Sequence, residues 1–152
     1  MSSLVNNFWQ CYQETEFFST QALSCQLSFA IITAYNPQGV LLSSMQNRLL
    51  DRKLQNEIEA LGLPYRAIMG ASADKRHMEK SWAITVDRNV AIQMGVKFDQ
   101  NAIYYVEADH LRLIPCLIQE KEICLGLFSE KVKLVSELPK SPSSNYSTSY
   151  YC

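Results

Sequence analysis

The stretch "FAIITAYNPQG", residues 29–39, decides the fold. Phe29 to Tyr35 read as one strand, and its apolar residues fall on both faces. A strand of that kind cannot lie open to water on either side, so it belongs in the middle of a sheet with both faces covered. Pro37 has no N–H and biases Asn36 toward an extended backbone, which ends the strand there. Gly39 then permits a turn. Asn36 is left at the rim of the sheet with a side-chain amide that both donates and accepts.

Working outward, Leu4, Phe8 and Cys11 or Tyr12 recur at helical spacing, which predicts a helix over 3–14. "TEFFSTQ" follows as a short edge strand. After the turn, Ser43 and Gln46 have the spacing of a capping box. Met45, Leu49, Leu50, Leu54, Ile58 and Leu61 form an apolar stripe, and Arg48, Arg52, Gln55, Asn56 and Glu59 take the wet side. Gly62 and Pro64 stop that helix. "YRAIMG" and "SWAITV" read as strands joined by the polar loop "ASADKRHMEK". Asp87 caps a further helix, "RNVAIQMGVKF", with Val90, Ala91, Met94 and Phe98 facing inward. "NAIYYVEAD" and "HLRLIPCLI" form a hairpin around Asp109-His110, and 121–138 predict another.

This order predicts an α+β fold with a mainly antiparallel or mixed sheet packed with two or three helices. It contains β–α–β–β–α–β, so a ferredoxin-like core is a candidate. One domain is expected over 1–139. The Ser- and Pro-rich end, 140–152, reads as a flexible tail.

Composition narrows the functional classes. The 152 residues are 47% apolar and 19% charged, with a net charge of -1. That balance is globular and carries no broad field toward nucleic acid or anionic membrane. Five cysteines, with no CxxC pair, argue against a disulfide framework or a four-thiolate zinc site. Reduced thiols and a cytoplasmic location are the simplest reading. No secretory signal and no membrane-spanning stretch is expected.

Two familiar motifs fail on inspection. His77 and Glu79 are spaced as the H-x-E of zinc deaminases, but Pro115-Cys116 lacks the second thiol of P-C-x-x-C. His77 then reads as a solvated loop histidine, and no metal site is expected. Gly70-Ala71-Ser72 does not complete a P-loop. Lys75, Arg76 and Lys80 read as a solvated basic face. Glu79 and Ser81, two apart on a strand, share one face, while Trp82 and Ile84 take the other. Gln100 precedes a strand and can turn its amide over the sheet edge, as Asn36 does. Tyr104 and Tyr105 point to opposite faces, which predicts that one of them is exposed.

Four blocks come in a recognisable order: "YQETEF" (12–17), "ITAYNP" (32–37), "EKSW" (79–82) and "FDQNAI" (98–103). Together, over about Tyr12 to Leu113, they resemble the bacterial family called domain of unknown function 3293. Where that family commonly has F-G-Q, this chain has Asp99 in place of the glycine. The resemblance implies a bacterial cytoplasmic protein and assigns no catalytic role. It groups Asn36, Glu79, Ser81 and Gln100 within its blocks.

These four residues are the candidate ligand-binding set, expected to line a polar cleft in a binding module for a small polar ligand, nucleotide-like ligands included. On this reading Asn36→Ala and Gln100→Ala weaken binding and leave folding intact. A small hydrolase or transferase with Glu79 as the acid or base is the alternative, and it requires that carboxyl in a partly buried pocket with a raised pKa. A protein-interaction domain working through the tail or an open sheet edge is a third reading. No cofactor is expected, and neither a membrane nor nucleic acid is indicated as a partner.

Overall fold

The computed structural model describes residues 2–140, with side chains from residue 7 onward. The expected tail lies, from residue 141, outside the described residues. Three helices, α1 (Ser2–Gln13), α2 (Ser44–Leu61) and α3 (Arg88–Lys97), accompany eight strands. These are β1 (Glu16–Ser19), β2 (Phe29–Ile32), β3 (Tyr65–Ala71), β4 (Met78–Ile84), β5 (Ala102–Glu107), β6 (His110–Pro115), β7 (Ile123–Leu127) and β8 (Val132–Leu134). The fold is α+β, as the sequence implied.

One sheet holds all eight strands in the order β7-β6-β5-β2-β4-β3-β1-β8. Every pairing is antiparallel except β1 with β8. Within it, β5-β2-β4-β3 with α2 and α3 has the strand order of a ferredoxin-like β–α–β–β–α–β unit. β2 lies centrally between β4 and β5, with all four residues buried, so both of its faces are covered as its composition demands.

The sheet is strongly curled, and chain length shows it. β7 and β8 occupy opposite edges, which in a flat sheet of eight strands would lie ~33 Å apart at ~4.8 Å per strand. Only Phe128–Lys131 joins Leu127 to Val132, a path of at most ~18 Å. The two edges therefore bend toward each other. In agreement, the rings of Phe17 on β1 and Tyr104 on β5 meet edge-to-face at 5.1 Å across the interior. Phe128 closes the same space, within 5.7 Å of Phe17 and 5.4 Å of Phe29. This curl overturns the hairpin expected over 121–138: β7 pairs with β6, and β8 crosses to β1. β1 is then flanked on both sides and is not the edge strand expected.

Strand alternation sorts side chains between the two faces. On the outer face, Ile32, Trp82, Ile84, Ile103 and Tyr105 pack against Leu54 and Ile58 of α2 and Ala91 and Met94 of α3. On the inner face, Phe17, Phe29, Ile31, Ile68, Ala83, Val106, Leu111 and Phe128 form a second cluster. Both faces being covered, neither tyrosine of β5 is exposed. Tyr105 donates to the Val86 carbonyl at 3.0 Å, and Tyr104 donates to the Tyr12 carbonyl at 2.6 Å.

The opening corner departs from a simple strand end. Asn36 adopts φ 48°, ψ 62°, the left-handed region, rather than the extended backbone its proline favours. Asparagine tolerates this conformation better than most residues. Gly39 (φ 80°) packs under the Phe8 ring so closely that a Cβ there would lie 2.5 Å from Cζ. Asp99, where the F-G-Q pattern that the chain resembles has glycine, has φ 54°, and its carbonyl accepts from Gln38 N at 2.8 Å. The tight turn that glycine would favour therefore forms with aspartate in its place.

Candidate functional site

The inner face is not fully packed. Between the end of α1 and strands β1 to β6 lies a small cavity of about 50 Å3. Tyr12 and Thr15 enter it from the α1 end, Phe17 from β1, Gly70 from β3, Glu79 and Ser81 from β4, and Ala102 and Tyr104 from β5. Thr33, Asn36 and Gln100 reach it from the loops that end β2 and precede β5. Asn36, Glu79, Ser81 and Gln100, though scattered over 65 positions of sequence, thus all line one cavity. β4 begins at Met78, earlier than its apolar run suggests, and this places Glu79 on the strand rather than in the preceding loop.

Glu79 dominates the chemistry. Asn36 Nδ2 donates to its Oε2 at 2.8 Å, and among the described residues the carboxyl has no cationic partner. As a residue Glu79 is half-buried, but protein atoms crowd the carboxyl itself, and that crowding sets its ionisation. Desolvation lifts its pKa from 4.5 to about 8, against the smaller lowering effect of the Asn36 hydrogen bond. Burial also pushes the phenols of Tyr12 and Tyr104 far above their ordinary range, so both stay protonated. Of the groups lining the cavity, Glu79 is the one that titrates near neutrality.

Asn36 is a hub. Its Oδ1 accepts from Leu42 N at 3.0 Å and from Asn47 Nδ2 at 2.9 Å, while its own N–H donates to Asn47 Oδ1 at 2.9 Å. The corner is thereby clamped to the first turns of α2, and the amide is aimed at Glu79. This corrects the expectation that Asn36→Ala spares folding. Truncation leaves the Leu42 N–H and the Asn47 side chain without their partners, which costs about 1–3 kcal/mol. Urea denaturation is expected to show that loss at pH 6 and to show less than half of it in Asn36→Asp, whose Oδ atoms still accept from Leu42 N and Asn47 Nδ2.

Gln100 Nε2 donates to the carbonyls of Tyr35 and Phe98, both at 3.2 Å, fixing one turn against the other. The Ser81 hydroxyl donates to the Glu79 carbonyl at 3.3 Å. Asn101 Nδ2 donates to the Tyr12 hydroxyl at 3.0 Å. Sequence reasoning missed Tyr12, Thr15, Thr33 and Asn47 as parts of this region. Asn47 carries the clearest signal: with Asp51, Leu54 and Ile58 it lies at helical spacing on the buried face of α2. Met45, Leu49 and Leu61 of the predicted stripe are exposed instead. A polar first half to that face is what lets α2 hold the rim.

Lys80 is not a solvated charge. Its Nζ meets Asp51 Oδ2 at 3.0 Å and sits 4.4 Å from the centre of the Trp82 ring, while Trp82 Nε1 donates to Asp51 Oδ1 at 2.8 Å. His77 lies half-buried in the β3–β4 turn, and burial lowers its pKa. No group of three or more potential metal ligands occurs among the described residues. Cys25, Cys116 and Cys124 are free thiols. No helix among the described residues is long and apolar enough to cross a membrane.

From the end of β2 to the start of β5 the chain follows one described family. Residues 32–103 match Protein of unknown function (DUF3293). The DUF3293 segment contains the α2 and α3 crossovers and supplies Thr33, Asn36, Gly70, Glu79, Ser81 and Gln100 to the cavity. Tyr12, Thr15, Phe17, Ile31, Tyr104 and Leu113 complete its wall from outside the match. The family expected from the four sequence blocks is the one found, over a shorter span. No curated protein and no solved structure matches the chain.

Proposed function

We propose that the chain is a binding domain for a small polar ligand, received in the cavity of the curled sheet with Glu79 as its polar anchor. The observation that carries this reading is the convergence of Asn36, Glu79, Ser81 and Gln100, from separate segments, on one partly enclosed space. A carboxyl with a strongly perturbed pKa in such a space is a recurrent mark of a functional site. A water needs ~10–15 Å3, so the cavity takes a group of only a few non-hydrogen atoms. A whole nucleotide is larger, and its phosphates would meet no basic side chain among the described residues that line the cavity. The ligand class therefore narrows to a small molecule, or the polar end of a longer one.

Thermal melts against small amines, amides, alcohols and carboxylates test this. A ligand at a hundred times its Kd adds ~2.7 kcal/mol. The stabilisation should fall in Gly70→Ala, whose added Cβ narrows the cavity while meeting nothing nearer than 3.7 Å. Stabilisation by no compound, or equal stabilisation of that variant, contradicts the reading. A second reading, Glu79 as an acid or base in a small hydrolase or transferase, draws support from a pKa of about 8, close to neutrality. Turnover of a ligand that binds, lost in Glu79→Gln, would favour it.

A further inference from the structure

Among the described residues, the carboxyls of Asp51 and Glu79 are both enclosed by protein groups, and their surroundings differ in one respect. Asp51 receives an indole N–H and an ammonium, and that ammonium lies against the face of an aromatic ring. Glu79 receives a carboxamide N–H and, among the described residues, no ammonium. Beside it is open space, walled by the rings of Tyr12, Phe17 and Tyr104, with no Lys, Arg or His among the described residues that line it. The space has room for a small group, a carboxyl and aromatic side chains in its wall, the same kinds of partner that surround the Lys80 ammonium.

On the binding reading above, we propose that the ligand is a small organic cation, an alkylammonium or the ammonium end of a longer amine, which supplies to Glu79 the counter-charge that Lys80 supplies to Asp51. The ammonium donates to the carboxylate, and its carbons lie against the aromatic rings, where the ring faces attract the charge as well. A divalent metal is a poor fit, because the cavity offers a single carboxylate. An anion meets no positive side chain there. Tyr12 from α1 and Tyr104 from β5 are the other titratable groups lining the space, and both remain neutral, so Glu79 alone sets the charge that the ligand meets.

The test is a titration of the full chain with ethylammonium chloride, read by the side-chain carboxyl 13C resonance of Glu79. Sodium chloride at equal ionic strength, acetamide and acetate are run beside it. Ethylammonium should move the resonance saturably and lower its titration midpoint. Only the ionised carboxyl binds the cation, so affinity should rise about tenfold between pH 6 and pH 7. Glu79→Gln, close to the same shape and checked for an intact fold by its melt, should bind at least about tenfold more weakly by the shifts of neighbouring resonances. Saturable binding of acetamide or acetate without ethylammonium would overturn the cation proposal and leave the binding domain standing. Silence from every compound would overturn both.

Discussion

Replacing Glu79 by Gln is expected to stabilise the protein at alkaline pH and to change it little in mild acid. The sign follows from the direction in which burial moves the pKa. The folded value, about 8, lies above the ordinary value of 4.5. Its contribution to stability is fully present below about 4.5 and is lost as pH rises through about 8, because the folded state resists the ionisation that the unfolded chain accepts. At pH 5 wild type and variant should agree within about 1 kcal/mol. At pH 9 the variant should be more stable by about 3–5 kcal/mol, at ~1.4 kcal/mol for each tenfold change in the ionisation equilibrium. Gln keeps an oxygen for the Asn36 amide, so the hydrogen bond survives the change. Paired urea denaturations across pH 5–9 read the difference directly. Equal slopes with pH for the two proteins would mean that the carboxyl is well solvated. A side chain that costs this much stability near neutrality is the kind of local sacrifice found where function is served.

Asp51→Ala is expected to cost about 2–4 kcal/mol at neutral pH. The carboxylate is the shared partner of the Trp82 indole and the Lys80 ammonium, and it ties α2 to β4. Its loss leaves the buried indole N–H without an acceptor, at about 1–3 kcal/mol, and removes the counter-charge from Lys80. Lys80 keeps a third of its side-chain surface, so water recovers part of the second loss. Asp51→Asn retains an acceptor for the indole and should cost about half as much. Trp82→Phe, combined with Asp51→Ala, should show a coupling of about 1 kcal/mol in a double-mutant cycle followed by urea denaturation. A loss below about 0.5 kcal/mol for Asp51→Ala would show that the indole and ammonium find other partners.

What the sequence revealed of this fold was local. The doubly apolar run of β2 marks the sheet centre, and Ser43, Gln46 and Gly62 bound α2 by side-chain chemistry that operates within a few residues. The hairpin of β5 and β6 turns at Ala108-Asp109, both with positive φ, one residue from where its polar pair placed it. What stayed hidden depends on curl. Nothing in the local pattern of β7 and β8 says that they sit at opposite edges, because the bend that brings those edges together is a property of the whole sheet. The polar face of α2 was hidden for a related reason: Asn47 and Asp51 are buried by partners 11 and 31 residues away, which a count of apolar residues at helical spacing cannot see. The four candidate residues were chosen as polar groups at strand ends. That they meet follows from the order β5-β2-β4-β3 and its antiparallel pairings, which set the end of β2 beside the starts of β4 and β5.

The central claim is that Glu79 is a desolvated carboxyl in a cavity, held by Asn36 and left without a counter-charge. The most direct measurement is the titration of its side-chain carboxyl carbon by 13C NMR in the full chain, from pH 4 to pH 10, with the resonance assigned by its absence from Glu79→Gln. The account predicts a midpoint of about 8. A midpoint near 4.5, the value of a solvated glutamate, would contradict it.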